Sequence, residues 1–148
     1  MRLPFLLILL FTSTIGAAQQ STAPATDDYS GMYSFLRDGE FLQISVEDQG
    51  KVSGFISRYG DSDNDKTTFL DQFFESGKLA GNHLTFKTKE VHGIRFTFEG
   101  TIQHGTGKTP DDEGYYVIRG TLTRLQTDPD KKTTQTSEER DFKSFPKD

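Results

Sequence analysis

The segment from residue 94 to residue 103 alternates strictly between apolar or small and polar side chains, and this period of two constrains the fold most. Successive side chains of a β-strand point to opposite faces of a sheet, so the pattern predicts a strand with one buried and one hydrated face. The predicted buried face comprises Ile94, Phe96, Phe98, Gly100 and Ile102. An antiparallel sheet that meets water on one side accommodates such a strand.

Shorter runs with the same period lie on both sides, separated by turn residues such as Gly, Asp and Asn. Strands are predicted at 31–36, 41–46, 51–59, 67–75, 83–89, 94–103 and 115–125, with a last short element at 141–146. Residues 77–82 are predicted to form a turn, and the wholly polar stretch 126–140 a loop. Segment 67–75 is ambiguous because its Phe residues also follow helical spacing. A strand with a bulge is favoured over one or two helical turns.

Seven or eight strands with short connections and almost no helix predict an all-β fold over residues 31–148. The favoured architecture is a single antiparallel up-and-down barrel, and a β-sandwich is the alternative. Glycines at inner-facing strand positions favour the barrel, because a closed barrel needs bends that glycine permits. These glycines are Gly54, Gly100 and Gly120.

The N-terminus has the composition of a signal peptide. Arg2 precedes a short apolar run at 3–11, and small residues follow at 16–18, which suits cleavage after Ala18. Residues 19–30 are rich in Ser, Thr, Ala and Pro and are predicted to be a flexible lead-in. The protein is therefore expected to be exported, either to the periplasm or out of the cell, without a membrane span in its mature form.

The charge balance and the absence of cysteine limit the kinds of partner and of membrane anchor that are expected for this protein. The chain carries 17 basic and 22 acidic residues, and this acidic balance argues against a nucleic-acid surface, which requires a basic stripe. It contains no Cys, so the mature domain must fold without disulfides and has no thiol for a lipid anchor.

No motif indicates catalysis or a cofactor. Residues 107–109 (GKT) resemble the end of a phosphate-binding loop, but the preceding glycine and the following helix are missing. Asp61, Asp63 and Asp65 have the spacing that opens a calcium loop, but the later glycine and glutamate are absent, which leaves them a weak metal candidate. The three histidines lie in separate elements. An enzyme is consequently unsupported, and no cofactor is predicted.

Two short segments resemble calycin-type barrels of the avidin-like and lipocalin-like kind. These barrels open with G-x-W, similar to residues 31–33 (GMY), and the second avidin hairpin is similar to residues 50–55 (GKVSGF). The resemblance spans roughly 30 residues and implies an eight-stranded barrel with a cavity at one end. It does not transfer biotin binding, because the avidin Trp, Asn and Tyr positions hold Tyr33, Phe35 and Ile56, and the chain has no Trp.

The leading functional hypothesis is an exported β-barrel that binds a small apolar molecule. Inner-facing residues near the strand ends are the candidate lining: Tyr33, Phe35, Ile56, Tyr116 and Ile118. The two tyrosines combine an apolar ring with one hydroxyl, a mixture that orients ligands in small-molecule pockets. A protein-interaction module with a filled core, contacting another exported protein, is the alternative, and a barrel-type isomerase or lyase is a third hypothesis.

Overall fold

Eight β-strands follow one another in the computed structural model, which describes residues 27–147. The strands are β1 (Gly31–Ser34), β2 (Phe41–Val46), β3 (Val52–Tyr59), β4 (Phe69–Ala80), β5 (His83–Thr88), β6 (Ile94–His104), β7 (Tyr116–Thr127) and β8 (Thr133–Lys143). Each pairs antiparallel with the next, in the spatial order β1 to β8. The sheet curls until Tyr33 forms a bridge with Ser144, and the Phe145 N–H donates to the Met32 carbonyl at 2.9 Å. The all-β, up-and-down prediction is confirmed.

The predicted signal peptide at 1–18 and most of the lead-in lie outside the described residues. Nothing between residues 27 and 147 forms a helix long and apolar enough to cross a membrane. Residues 27–30, the last of the lead-in, contact the barrel: Tyr33 Oη donates to the Tyr29 carbonyl at 2.8 Å, and Val46 N–H donates to Ser30 Oγ at 3.0 Å. This short stretch is therefore part of the folded domain.

Because the strands alternate in direction, the connections gather at two ends of the barrel. One end, called here the tyrosine end, comprises residues 27–30, 47–51, 81–82, 105–115 and 144–147. The other, called the arginine end, comprises residues 35–40, 60–68, 89–93 and 128–132.

Aromatic rings fill the middle of the barrel. The face predicted from the period of residues 94–103 is buried as expected, with Phe96 2% and Phe98 3% exposed. A continuous series of ring contacts, at centroid distances from 4.5 to 5.7 Å, runs through Phe74, Phe86, Phe98, Phe142, Phe35 and Phe96. Such close packing means that side chains fill the centre of the barrel.

Two of the predicted inner glycines face each other. Gly100 on β6 pairs with Gly120 on β7, and a Cβ on Gly100 would lie 2.7 Å from Phe98 Cζ and 2.8 Å from Gly120 Cα. A side chain at Gly100 would therefore collide with the Phe98 ring and with the backbone of Gly120. The absence of side chains at both positions lets β6 and β7 approach each other closely where the sheet curves.

Residues 69–75 of the strand predicted at 67–75 form the first part of β4 and contain the predicted bulge, because the pairing register with β5 shifts between Phe74 and Ser76. The helix-like spacing arose because Phe69 and Phe73 face outward, 47% and 54% exposed, while Phe74 packs against the core. The predicted turn at 77–82 was too long: β4 continues to Ala80, and only residues 81–82 turn.

The prediction of a polar loop at 126–140 was wrong. β7 runs to Thr127, a short turn follows, and β8 begins at Thr133. Every residue of β8 except Phe142 is exposed, so the strand has no apolar face that alternation could reveal. Its stability comes instead from backbone pairing with β7 along its whole length.

Candidate functional site

The barrel wall is open beside the last strand. β1 has four residues and β8 has eleven, so the two strands meet only around Tyr33 and Ser144. Towards the arginine end, β8 pairs with no second strand in the described part of the chain. A pocket of about 360 Å³ occupies this gap, between residues 36–40 on one side and Thr136 and Glu138 of β8 on the other.

Arg58 lies at the floor of this pocket and is only 3% exposed. It follows Ile56 on the inner face of β3. Its Nε donates to Gln72 Oε1 at 3.0 Å, and its Nη1 donates to Asp61 Oδ2 at 2.7 Å. Within residues 27–147, Nη2 has no hydrogen-bond partner. The guanidinium carbon lies 5.7 Å from the centroid of the Phe96 ring, so one face of the group rests on an aromatic surface.

A buried polar network holds the Arg58 side chain in place. Gln72, fully buried on β4, donates from Nε2 to Thr88 Oγ1 at 3.0 Å and to the Ile94 carbonyl at 2.7 Å. Thr88 Oγ1 in turn accepts the Phe96 N–H at 3.0 Å. Because these partners come from three strands, the direction of the guanidinium is set by the barrel itself.

Carboxylates on the same end engage the other arginines. Asp61 accepts from Arg58 and also lies 3.5 Å from Arg124 Nη2 on β7, so two guanidinium groups share one carboxylate. Glu40, 2% exposed, accepts from Arg37 Nε at 2.8 Å and from the Tyr59 N–H at 3.0 Å. Arg37 therefore balances the charge of Glu40, whereas the carboxylate of Asp61 is shared between Arg58 and Arg124.

The remaining walls are apolar. Leu36 lies after β1, Phe96 comes from β6 and Leu122 from β7, and all three line the pocket. The pocket thus combines three apolar side chains with seven polar or charged ones, and its volume lies within the ordinary range of small-molecule sites.

The tyrosine end contains a second pocket of about 470 Å³, lined in part by Tyr33 and Tyr116. Both hydroxyls are already bonded: Tyr33 Oη donates to the Tyr29 carbonyl at 2.8 Å, and Tyr116 Oη donates to Asp27 Oδ1 at 3.2 Å. The Tyr29 ring packs edge-on against Tyr116 at 4.9 Å. Burial is the main cause that raises the pKa of both Tyr33 and Tyr116. Residues 27–30 therefore already bind the side chains of Tyr33 and Tyr116, which were predicted to contact a ligand.

The five predicted lining residues do not converge on one pocket. Phe35, Ile56 and Ile118 belong to the packed core and line neither of these two pockets, whereas Tyr33 and Tyr116 meet at the tyrosine end. Sequence reasoning missed Arg58 and Arg124. A usable signal existed, because the period of two places Arg58 on the same face as Ile56, and Arg124 on the same face as Leu122.

The three aspartates of the weak metal candidate point to different partners. Asp61 binds the two arginines, Asp63 contacts Lys66 Nζ at 3.1 Å, and Asp65 lies 2.9 Å from His92 Nδ1. Among the residues that the structure describes, no group of three potential ligands could hold a metal ion. Hydrogen bonds from Ser62 and His92 lower the pKa of Asp65, which marks it as part of a local turn network.

Comparison with known proteins extends the fold assignment. No protein-family model matches the chain, and no curated protein sequence matches it. Among solved structures it is similar to rhizavidin (13% identity, TM-score 0.58, covering 80% of this chain and 83% of that one). It is also similar to a rhizavidin–biotin complex (13%, 0.56, 78% and 98%) and to apo shwanavidin (16%, 0.50, 78% and 94%). The protein therefore has the calycin-type barrel fold of the avidin family.

Proposed function

We propose that this protein binds a small molecule in the arginine-end pocket. The observation that carries the proposal is the opening in the barrel wall beside β8, which gives access to a pocket of about 360 Å³ with a partly apolar wall and a buried arginine at its floor. The structural similarity to rhizavidin, solved in complex with biotin, supports a ligand-binding role for this barrel. The nearly sealed aromatic core argues against a ligand in the middle of the barrel.

A pair of tryptophan substitutions tests the location. Leu36→Trp places a large ring in the arginine-end pocket, and Met32→Trp is the matched control, because Met32 is 39% exposed and lines only the other of the two pockets. Binding of a naphthalene series with neutral and anionic members is measured by fluorescence and located by amide chemical shifts. We expect Leu36→Trp to weaken binding about tenfold or more, since it removes the space. Loss of binding in Met32→Trp alone would move the site to the tyrosine end.

We also propose that the protein is exported, on the basis of the apolar run and the small residues that follow it. N-terminal sequencing of the protein recovered outside the cytoplasm should begin near Gln19. Leu7→Arg interrupts the apolar run, and this variant should stay inside the cell with Met1 retained. Uncleaved wild-type protein in the membrane fraction would contradict the proposal.

A second candidate function, protein interaction, is favoured by aromatic side chains on the outer face of the sheet. Phe41, Phe55 and Phe73 form a row across β2, β3 and β4, with centroid distances of 5.8 and 5.4 Å, and Phe73 is 54% exposed. If this row is a contact surface for a second copy of the chain, sedimentation should show association at high concentration that Phe73→Ser abolishes. A monomer at every concentration would count against this self-association.

A further inference from the structure

We infer that the ligand of the arginine-end pocket is a monoanion with an apolar body, such as a carboxylate on an aromatic or aliphatic group. This inference rests on the proposed function and adds the chemical class of the ligand. It follows from the charge balance of the pocket, the incomplete bonding of Arg58 and the nature of the pocket walls.

Three arginines and three carboxylates line the pocket, and Arg140, which lies outside the lining but pairs with Glu138, brings the local cluster to four positive and three negative charges. Two pairs are balanced: Arg37 with Glu40, at 2.7 Å, and Glu138 with Arg140, at 2.6 Å. The remaining charges are Arg58 and Arg124, which share Asp61. The cluster therefore has one uncompensated positive charge, although the whole chain has a net charge of −5. A positive site in an acidic protein favours an anionic ligand through electrostatic complementarity.

The incomplete hydrogen bonding of Arg58 also favours an anionic ligand. Its Nη2 group is buried without a partner in the described part of the chain, and burying unpaired donors of a charged group is costly. Arginine cannot avoid this cost by losing a proton. A carboxylate oxygen on Nη2 would supply the missing acceptor, and Arg124, whose side chain is 36% exposed, can contact the second oxygen.

The side chains of the pocket walls limit the chemical nature and the total charge of the rest of the ligand. Leu36, Phe96 and Leu122 offer an apolar surface beside the arginines. Asp61 and Glu138 line the same pocket and would repel a second negative charge. A monoanion with an apolar body satisfies both conditions, whereas a phosphate ester or a dicarboxylate would not.

The test compares 2-naphthoate with 2-naphthamide, which have the same ring system and differ in charge. Titration calorimetry near neutral pH should show the acid binding about tenfold or more tightly, as expected for charge-assisted hydrogen bonds. Arg124→Gln should remove most of that preference. Arg119→Gln is the matched control, because Arg119 lies on the outer face of the same strand and pairs with Asp141 at 2.6 Å. Arg58→Lys provides a second variant, and Arg124→Gln keeps the test valid if that buried change prevents folding.

The outcomes separate the two proposals. A preference for the acid that disappears in Arg124→Gln and persists in Arg119→Gln supports the inference. Equal affinities for acid and amide, with shifts mapped to Leu36 and Leu122, would overturn the anionic class and retain the pocket. Binding of neither compound, or binding only at the tyrosine end, would overturn both proposals.

Discussion

Individual side chains in this barrel have sharply different structural roles even when they share a residue type. Phe98 is 3% exposed and contacts both Phe86 and Phe142, whereas Phe73 is 54% exposed and touches Phe55 on the outer face. Arg58 and Arg119 differ in the same way, because one lies inside the wall and the other outside it. The direction in which a strand points a side chain decides its role.

The contrast between the phenylalanines gives a stability prediction. Phe98→Ala should lower the free energy of unfolding by about 3–5 kcal/mol, because the removed ring leaves a cavity in a close-packed core. Phe73→Ala, the same chemical change, should cost about 1 kcal/mol or less, since that side chain is largely hydrated. Urea titrations measure both, and the two unfolding slopes should be similar. Equal losses in the two variants would mean that the inner and outer faces are wrongly assigned.

Among the strands, β8 is the one whose surroundings differ from the rest. It pairs with β7 over eleven residue pairs but meets β1 only at its end. The hydrogen bonds at that end define its register: Ser144 N–H donates to the Tyr116 carbonyl, while the Lys143 and Phe145 N–H groups point to β1. Because N–H groups alternate in direction along a strand, even-numbered residues of β8 face β7 and odd-numbered residues face the gap.

This alternation predicts an amide hydrogen-exchange pattern. The N–H groups of Thr136, Glu138 and Arg140 should exchange slowly, because they bond to β7, while those of Gln135, Ser137 and Glu139 should exchange rapidly into water. Two-dimensional NMR after transfer into deuterated water resolves each amide. Central residues of β6, paired on both sides, serve as the control and should be protected at both parities. Uniform protection along β8 would show that another segment covers the gap.

The whole molecule has two unlike ends. At the tyrosine end, residues 27–30 lie against the barrel and bond to buried hydroxyls, so this end is largely occupied by the chain itself. At the arginine end, the wall is incomplete and the buried Arg58 lines the pocket behind it. The difference follows from the short first strand, which cannot pair with the full length of the last.

The buried Tyr33 at the tyrosine end should make the stability of the protein decrease at alkaline pH. Burial, followed by the negative charge of ionised Tyr116 and of Asp28, raises the pKa of Tyr33 above its ordinary value of 10.0. A group whose pKa is raised by folding stabilises the protein below its unfolded pKa. The stability that it contributes is lost as the pH rises beyond that value. Urea midpoints should therefore fall above about pH 10.

Tyr33→Phe provides the control for this pH effect. It keeps the ring but removes the hydroxyl, so it should cost about 1 kcal/mol near neutral pH through the lost hydrogen bond to Tyr29. It should also flatten the alkaline decline, because the ionising group is gone. An unchanged decline in Tyr33→Phe would assign the pH dependence to other residues, such as Tyr116.

The barrel itself was predictable because its signals are local. Residues 94–103 reveal their two faces by alternation alone, and the same period correctly places Tyr116 and Ile118 inside. The bulge in β4 was also anticipated, because segment 67–75 is short and lies among strands. β8 was missed because hydrophobic alternation reports a buried face, and this strand has almost none.

The sequence alone therefore determined the fold class, a count of seven or eight strands and the buried face of the central strands, since each depends on neighbours two residues apart. Only the tertiary structure decided where a ligand site can form. Arg58 and Asp61 are close in sequence, but Arg124 and Glu138 reach the same pocket from strands more than sixty positions further along. Their meeting depends on the curvature of the sheet and on the short β1, and no local pattern encodes either of these.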